Sequence, residues 1–157
     1  MLKVIGLGSD LRGDDSIGSE IIERMRKMEL PVPLSLVNAG ADAFSLLEHL
    51  MAKEPVLIVD CAKMGKTPGH VQKLKIDEVN LQTVDKSLYL HGFSFAEIYR
   101  MAQSIGPVAP CSIIAVEPEH VTFNEPLSDV VREQVPAIIN LVLEEAKANA
   151  EKENSNN

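Results

Sequence analysis

The chain has 157 residues, 45% of them hydrophobic and 24% charged, and carries a net charge of -8 at pH 7. That length suits one domain able to bury a sizeable core, and an acidic balance without any Lys/Arg cluster argues against a surface for nucleic acid or anionic membrane. Cys61 and Cys111 are too few and too far apart for a disulfide framework or a zinc knuckle, and aromatics at 4% leave no stacking platform for bases or sugars.

The chain opens on an apolar strand, Leu2 to Leu7, without the basic flank of a signal peptide. No apolar run approaches the length needed to cross a bilayer, so a soluble, cytoplasmic protein is expected. The strand breaks into Gly8-Ser9-Asp10-Leu11-Arg12-Gly13-Asp14-Asp15 and then into a helix from Ser16 to Met28, with Ile17, Ile21, Ile22, Met25 and Met28 as its apolar stripe. A second strand, Val32 to Val37, leads through Asn38-Ala39-Gly40-Ala41 to a helix capped by Asp42, whose expected buried face is Phe44, Leu46, Leu47 and Leu50. Pro55 to Asp60 is a continuous apolar run ending in an acid, as expected for a central parallel strand covered on both faces.

Residues 61–69 read as a loop, Val71 to Ile76 as an additional strand and Asp77 to Asp85 as a polar connection. His91 stands just before a helix striped by Phe95, Ile98, Tyr99 and Ala102. The last strand is Ser112 to Val116, and Ser128 is the expected cap of a long final helix that Pro136 should bend or begin. Residues 1–147 form one expected α/β domain, and the polar stretch 148–157 reads as a disordered tail.

In open α/β sheets ligands bind outside the carboxyl ends of the strands, which places function at the first loop. Gly8 and Gly13 have the spacing of a P-loop, but Asp14-Asp15 stands where Lys-Ser/Thr should follow, and a phosphate would meet negative charge. A dinucleotide fingerprint fails likewise, because Leu11 occupies the place of its third glycine. Asp15 as a mere helix cap, with Asp14 favouring the positive end of the helix, is the plainer reading of the pair.

Asp60 at the end of a buried strand is harder to explain by packing, since an unpaired charge there is costly. If the strands run parallel, Asp15, Asp60 and His91 can converge on one rim. Two carboxylates and an imidazole suit nickel or zinc better than calcium or magnesium. His49, His70 and His120 lack such partners and are expected on the surface or in loops. No serine carries a G-x-S-x-G elbow, and neither cysteine has an oriented base nearby in sequence, so an ion is the more plausible agent of any cleavage.

Gly6-Leu7-Gly8-Ser9 through Asp14-Asp15-Ser16-Ile17-Gly18, Asp60 closing its strand, His91-Gly92, and Val116-Glu117-Pro118-Glu119 with Leu127-Ser128 together resemble the hydrogenase maturation endopeptidases. The resemblance spans nearly the whole chain up to the tail. It implies an α/β/α sandwich around a mostly parallel, twisted sheet of about five strands. It also implies an aspartic-type endopeptidase, working without a conventional protease triad, that removes the C-terminal extension of a nickel-iron hydrogenase large-subunit precursor after nickel insertion.

By the same resemblance Asp15, Asp60 and His91 are the metal-binding and catalytic positions, and Ser9, Asn38, Gly40 and Gly92 are candidates for the substrate-facing loops. The nickel is then carried by the precursor, with zinc or cadmium as a substitute occupant in vitro. A monomer is expected. Ser9 stands where the family usually has Asn, Asp15 where Glu is common, and Asn38 to Ala41 where an Asp-Gly-Gly-Thr-like turn is usual. The shorter Asp15 side chain draws its oxygen back by about one methylene.

Two other readings share these features. A receiver-like phosphoacceptor domain also pairs early acids with an Asp ending the third strand. Its acids should follow the first strand directly, and its last strand should lead to a lysine that Ser112 to Val116 does not supply. A nickel-binding accessory protein of the same fold, without hydrolytic activity, is the other.

Overall fold

Four of the five strands in the central sheet run the same way because helical segments return the chain to one end of the sheet between them. In a computed structural model that describes residues 1–77, 80–81, 89–90 and 93–157, the chain begins with β1 (Leu2–Leu7), a 3-10 turn at Gly13–Ser16 and α1 (Ile17–Arg26). There follow β2 (Leu34–Gly40), α2 (Ala43–Met51), β3 (Val56–Cys61) and β4 (Val71–Lys75). A short hairpin of β5 (Tyr89–Leu90) and β6 (Phe93–Ser94) precedes α3 (Phe95–Ile105) and β7 (Cys111–Val116), and the chain closes with α4 (Asp129–Arg132) and α5 (Val135–Ser155).

The sheet order is β2-β1-β3-β7-β4, parallel throughout except for β4, which pairs antiparallel with β7 at the edge. This is the expected mostly parallel sandwich, and period-two alternation sorts the strand side chains between its two helical layers. Ile5, Leu7, Val56, Ile58, Ile113 and Ala115 pack under α2 and α3. Val4, Leu57, Val59, Ile114 and Val116 pack under α1, α4 and α5. Asp60 has the parity of Val56 and Ile58 and so belongs to the α2/α3 side.

Close approach of α1 to the sheet is made possible by a pair of glycines. A Cβ on Gly6 would lie 2.5 Å from the Gly18 carbonyl oxygen, and one on Gly18 would lie 2.4 Å from that of Leu7 and 2.6 Å from that of Val59. Side chains at either position would lift the helix from the strands and displace the loop that joins them.

Several local expectations change in the folded chain. Asp42 caps α2 as expected, accepting from the Phe44 and Ser45 N–H groups, but the helix buries Ala43, Leu46 and Leu50, and Phe44 points outward. The stripe begins one residue earlier than expected because Ala43, Leu46 and Leu50 share the inward side at helical spacing. Pro136 falls in the first turn of α5, where its missing N–H costs nothing, so it starts the helix and does not bend it. Ser128 precedes α4, and its side chain makes no cap bond there.

The helix α5 also continues to Ser155, through residues expected to form a disordered tail. Ala148, Ala150, Lys152 and Glu153 are adequate helix formers that extend an already packed helix, and the Met1 ammonium pairs with Glu153.

Candidate active site

The parallel ladder brings the ends of β1, β2, β3 and β7 to one rim, and the loop after β1 sits at its middle. Gly8 has φ +107°, a conformation that favours glycine. A Cβ there would lie 2.1 Å from the Asp15 carbonyl oxygen, 3.0 Å from Asp15 Oδ1 and 3.1 Å from Asp60 Oδ1. Both carboxylates therefore approach the same side of the Gly8 backbone, and only a residue without a side chain allows the loop to fold back this closely on itself.

Each acid is held by a backbone donor. The Ser9 N–H donates to Asp15 Oδ2 at 2.9 Å, and the Cys61 N–H donates to Asp60 Oδ1 at 2.7 Å. Burial raises the Asp60 pKa well above its ordinary value, and the charge of Asp15 raises it further against the opposing Cys61 bond. Asp15 is less enclosed. Its pKa is also raised by burial, opposed by the Ser9 bond and by Arg12. A cation between the two would relieve this cost, and oxygen donors aimed at one spot suit a divalent ion. Among the described residues no cluster of three or more His, Cys, Asp or Glu side chains forms a metal cage. His91 and Gly92 lie outside the described residues.

The remaining candidates are placed as follows. Ser9 contributes its N–H to Asp15, and its Oγ accepts from Leu11 N–H at 3.3 Å. The Asn38 side-chain amide donates to Ser19 Oγ at 2.8 Å, which ties β2 to α1. The Gly40 carbonyl accepts from Gly8 N–H at 2.9 Å and fixes the end of β2 against the acidic loop.

Sequence reasoning treated Asp14 and Asp15 as a pair, whereas the fold divides them. Asp14 is fully buried and turns away from Asp60 into the 117–128 loop. Its Oδ1 accepts from Ser128 N–H at 2.7 Å, and its Oδ2 accepts from Ser128 Oγ–H at 2.8 Å, Glu119 N–H at 2.8 Å and His120 N–H at 3.2 Å. Asp14 is thus a staple between two loops of the rim.

Glu117, the residue after β7, does similar work. Its carboxylate accepts from Met64 N–H at 2.7 Å and Lys66 N–H at 2.8 Å, holding the 62–69 loop in place. His120 is not a loose surface residue either. Its ring packs beneath Gly13, and its Nδ1 is buried without a hydrogen-bond partner among the described residues.

Cys61 and Cys111 are both buried free thiols. Burial pushes the Cys61 thiol far up, with Asp60 and Asp15 adding to the effect, and pushes Cys111 up to about 12. Neither can supply a thiolate near neutral pH. Native protein at pH 8 should therefore show no thiol reactive to an aromatic disulfide reagent, and full reactivity should appear only in denaturant. Rapid native labelling of Cys61 would contradict its placement.

Comparison with known proteins agrees with this architecture. Residues 19–145 match the sequence model of the hydrogenase maturation protease family. The hydrogenase expression/formation protein HupD of Rhodobacter capsulatus is 30% identical over 104 residues, covering 66% of this chain and 50% of the relative. A putative hydrogenase maturation protease of Methanocaldococcus jannaschii is 31% identical over 78 residues, covering 48% of this chain and 51% of the relative. The matched stretch thus spans about half the length of either relative.

The hydrogenase maturating endopeptidase HYBD from Escherichia coli superposes with a TM-score of 0.81 at 22% identity, over 94% of this chain and 93% of that one, which establishes the shared fold. With its family match running from within α1 to within α5, this chain belongs to the hydrogenase maturation protease family.

Proposed function

We propose that the protein is an endopeptidase that removes the C-terminal extension of a nickel-iron hydrogenase large-subunit precursor once nickel has been inserted. The observation that carries this reading is the convergence of Asp15 and Asp60 against the Gly8 backbone, at the rim where an α/β sheet presents ligands. In this reading Asp15, Asp60 and His91 grip nickel that the precursor brings with it. Coordination chemistry is then the readiness check, because a precursor without nickel offers nothing to offset the mutual repulsion of the two acids.

The chain's own contribution is positioning. The Ser9 and Cys61 N–H groups orient the carboxylates, the Asp14 and Glu117 contacts hold the surrounding loops, and Gly8 lets the first loop bring Asp15 close to Asp60. An acid with a raised pKa in such a place is suited to exchanging a proton during amide cleavage. The Ser9, Asp15 and Asn38 departures bear on which hydrogenase is served. Among the described residues no helix is long and apolar enough to cross a membrane, and we place the protein in the cytoplasm as a monomer.

Neither rival is favoured by a particular feature: β7 (Cys111–Val116) is followed by Glu117, so the lysine a phosphoacceptor site needs is absent there. The deciding experiment incubates the purified protein with a nickel-loaded precursor and follows its length on a gel. Trimming by the length of the extension is expected, with none for nickel-free precursor. His91→Ala and Asp60→Ala should each abolish trimming while the far-UV spectrum stays native. Wild-type rates in both variants would remove these residues from the site.

A further inference from the structure

On the rim, on the face that Asp60 shares with α2 and α3, an open cleft of about 400 Å³ is lined by Ala39, Ala41, Asp42, Ala43, Phe44 and Phe93. The charged residue in this lining, Asp42, is exposed and caps α2 through Oδ1, which accepts from the Phe44 and Ser45 N–H groups. The other lining side chains are alanine methyls and aromatic rings.

Phe44 is 62% exposed and stands edge-on to Phe93, with ring centroids 6.1 Å apart and planes at 69°. The packing of α2 does not use it, since the helix buries Ala43, Leu46 and Leu50. Beside a cleft lined by Phe93 and alanine, the exposed ring extends the apolar surface offered to a ligand. Its position says what it would contact. The cleft wall begins at Ala39, and the next residue, Gly40, accepts from Gly8 N–H, around which Asp15 and Asp60 converge.

We infer that this cleft receives an apolar side chain of the precursor's C-terminal extension, close to the scissile bond, with Phe44 as its lip and a determinant of which extensions are accepted. The inference rests on the processing reading above. A chain whose amide lies at the carboxylates reaches the cleft within a few residues, because a single backbone hydrogen bond links the two places. A lining otherwise made of alanine and phenylalanine selects an apolar side chain, and the exposed Asp42 carboxylate disfavours an anionic one.

The test measures binding of a nickel-loaded precursor to the Asp60→Asn protein, so that cleavage does not intervene. Adding Phe44→Asp should raise Kd at least tenfold, which corresponds to about 1.4 kcal/mol, with a native fold whose melt falls only slightly through loss of the edge contact with Phe93. A mature large subunit lacking the extension should bind the Phe44→Asp and Phe44-containing proteins equally. In active protein, Phe44→Ala should raise KM for the precursor and leave kcat near wild type.

Equal Kd values on the full precursor overturn the inference, as does a Phe44 effect that persists on the mature subunit. Loss of self-association in Phe44→Asp with unchanged precursor binding also overturns it, since the cleft would then serve a second copy of this chain. Failure of the processing reading is seen separately. A precursor bound through Phe44 yet never trimmed upholds the cleft and rejects the protease, whereas trimming insensitive to Phe44 does the reverse.

Discussion

Replacing Asp60 by asparagine should make the protein more stable at neutral pH while reducing precursor trimming by a factor of about 100 or more. The two groups have nearly the same shape, and asparagine can still accept the Cys61 N–H through its Oδ1, so packing is preserved. What disappears is a buried charge beside Asp15. Folding raises the Asp60 pKa above its ordinary value of 3.8, so the native state binds the acidic proton more tightly than the unfolded chain. The stability this supplies is fully present below the unfolded pKa and is lost as pH rises through the folded one.

Asparagine has no such loss. The gap in stability between Asp60→Asn and wild type should therefore be absent in acid and grow toward neutrality, reaching about 1–2 kcal/mol, a common scale for relieving a functional site. Urea titrations across that pH range measure it. A variant less stable than wild type at pH 7, or a gap that widens toward acid, would mean that Asp60 is a structural carboxylate with partners that favour its charge.

The architecture was legible because its signals are local or periodic. The apolar run from Val56 to Val59 reads as a buried parallel strand on composition alone, and Asp60 stands out because it interrupts that run at its end. The helix starts at Asp42 and Pro136 follow from capping and φ restriction. From this, the meeting of Asp15 and Asp60 on one rim could be anticipated by topology. His91, the third member of the expected set, lies outside the described residues.

Long-range partners were not legible. Nothing in Gly13-Asp14-Asp15-Ser16 says which acid faces inward, because a 3-10 turn rotates successive side chains by about 120° and either phase is locally acceptable. The choice is made by Glu119, His120 and Ser128, more than a hundred residues further on. Phe44 was misjudged for a related reason. Hydrophobicity alone assigned it to the core, whereas the phase of α2 on the sheet, fixed by Ala43, Leu46 and Leu50, turns it to the cleft. Glu117 was visible only as part of a motif, since its partners Met64 and Lys66 are backbone groups that carry no side-chain signature.

The division between the adjacent acids yields the second large effect. Asp14→Ala should cost about 3–4 kcal/mol in urea unfolding, because it strands buried donors from Glu119, His120 and Ser128 whose only replacement would be water entering a closed site. Asp14→Asn should not rescue it. An amide can place its oxygen at Oδ2, but its NH₂ then confronts the Ser128 N–H, and the reverse orientation confronts the donors at Oδ2. Ser128→Ala removes one of these bonds and should cost only about 1 kcal/mol.

Hydrogen exchange at the Glu119, His120 and Ser128 amides should rise in Asp14→Ala before global unfolding does, and trimming should weaken through displacement of the rim. A cost below about 1 kcal/mol would refute the staple. The contrast is the stronger test. Neutralising Asp60 is expected to stabilise the fold and silence it, whereas neutralising Asp14 is expected to weaken the fold itself. Two aspartates on one rim thus answer opposite questions, one about chemistry and the other about the loops that surround it.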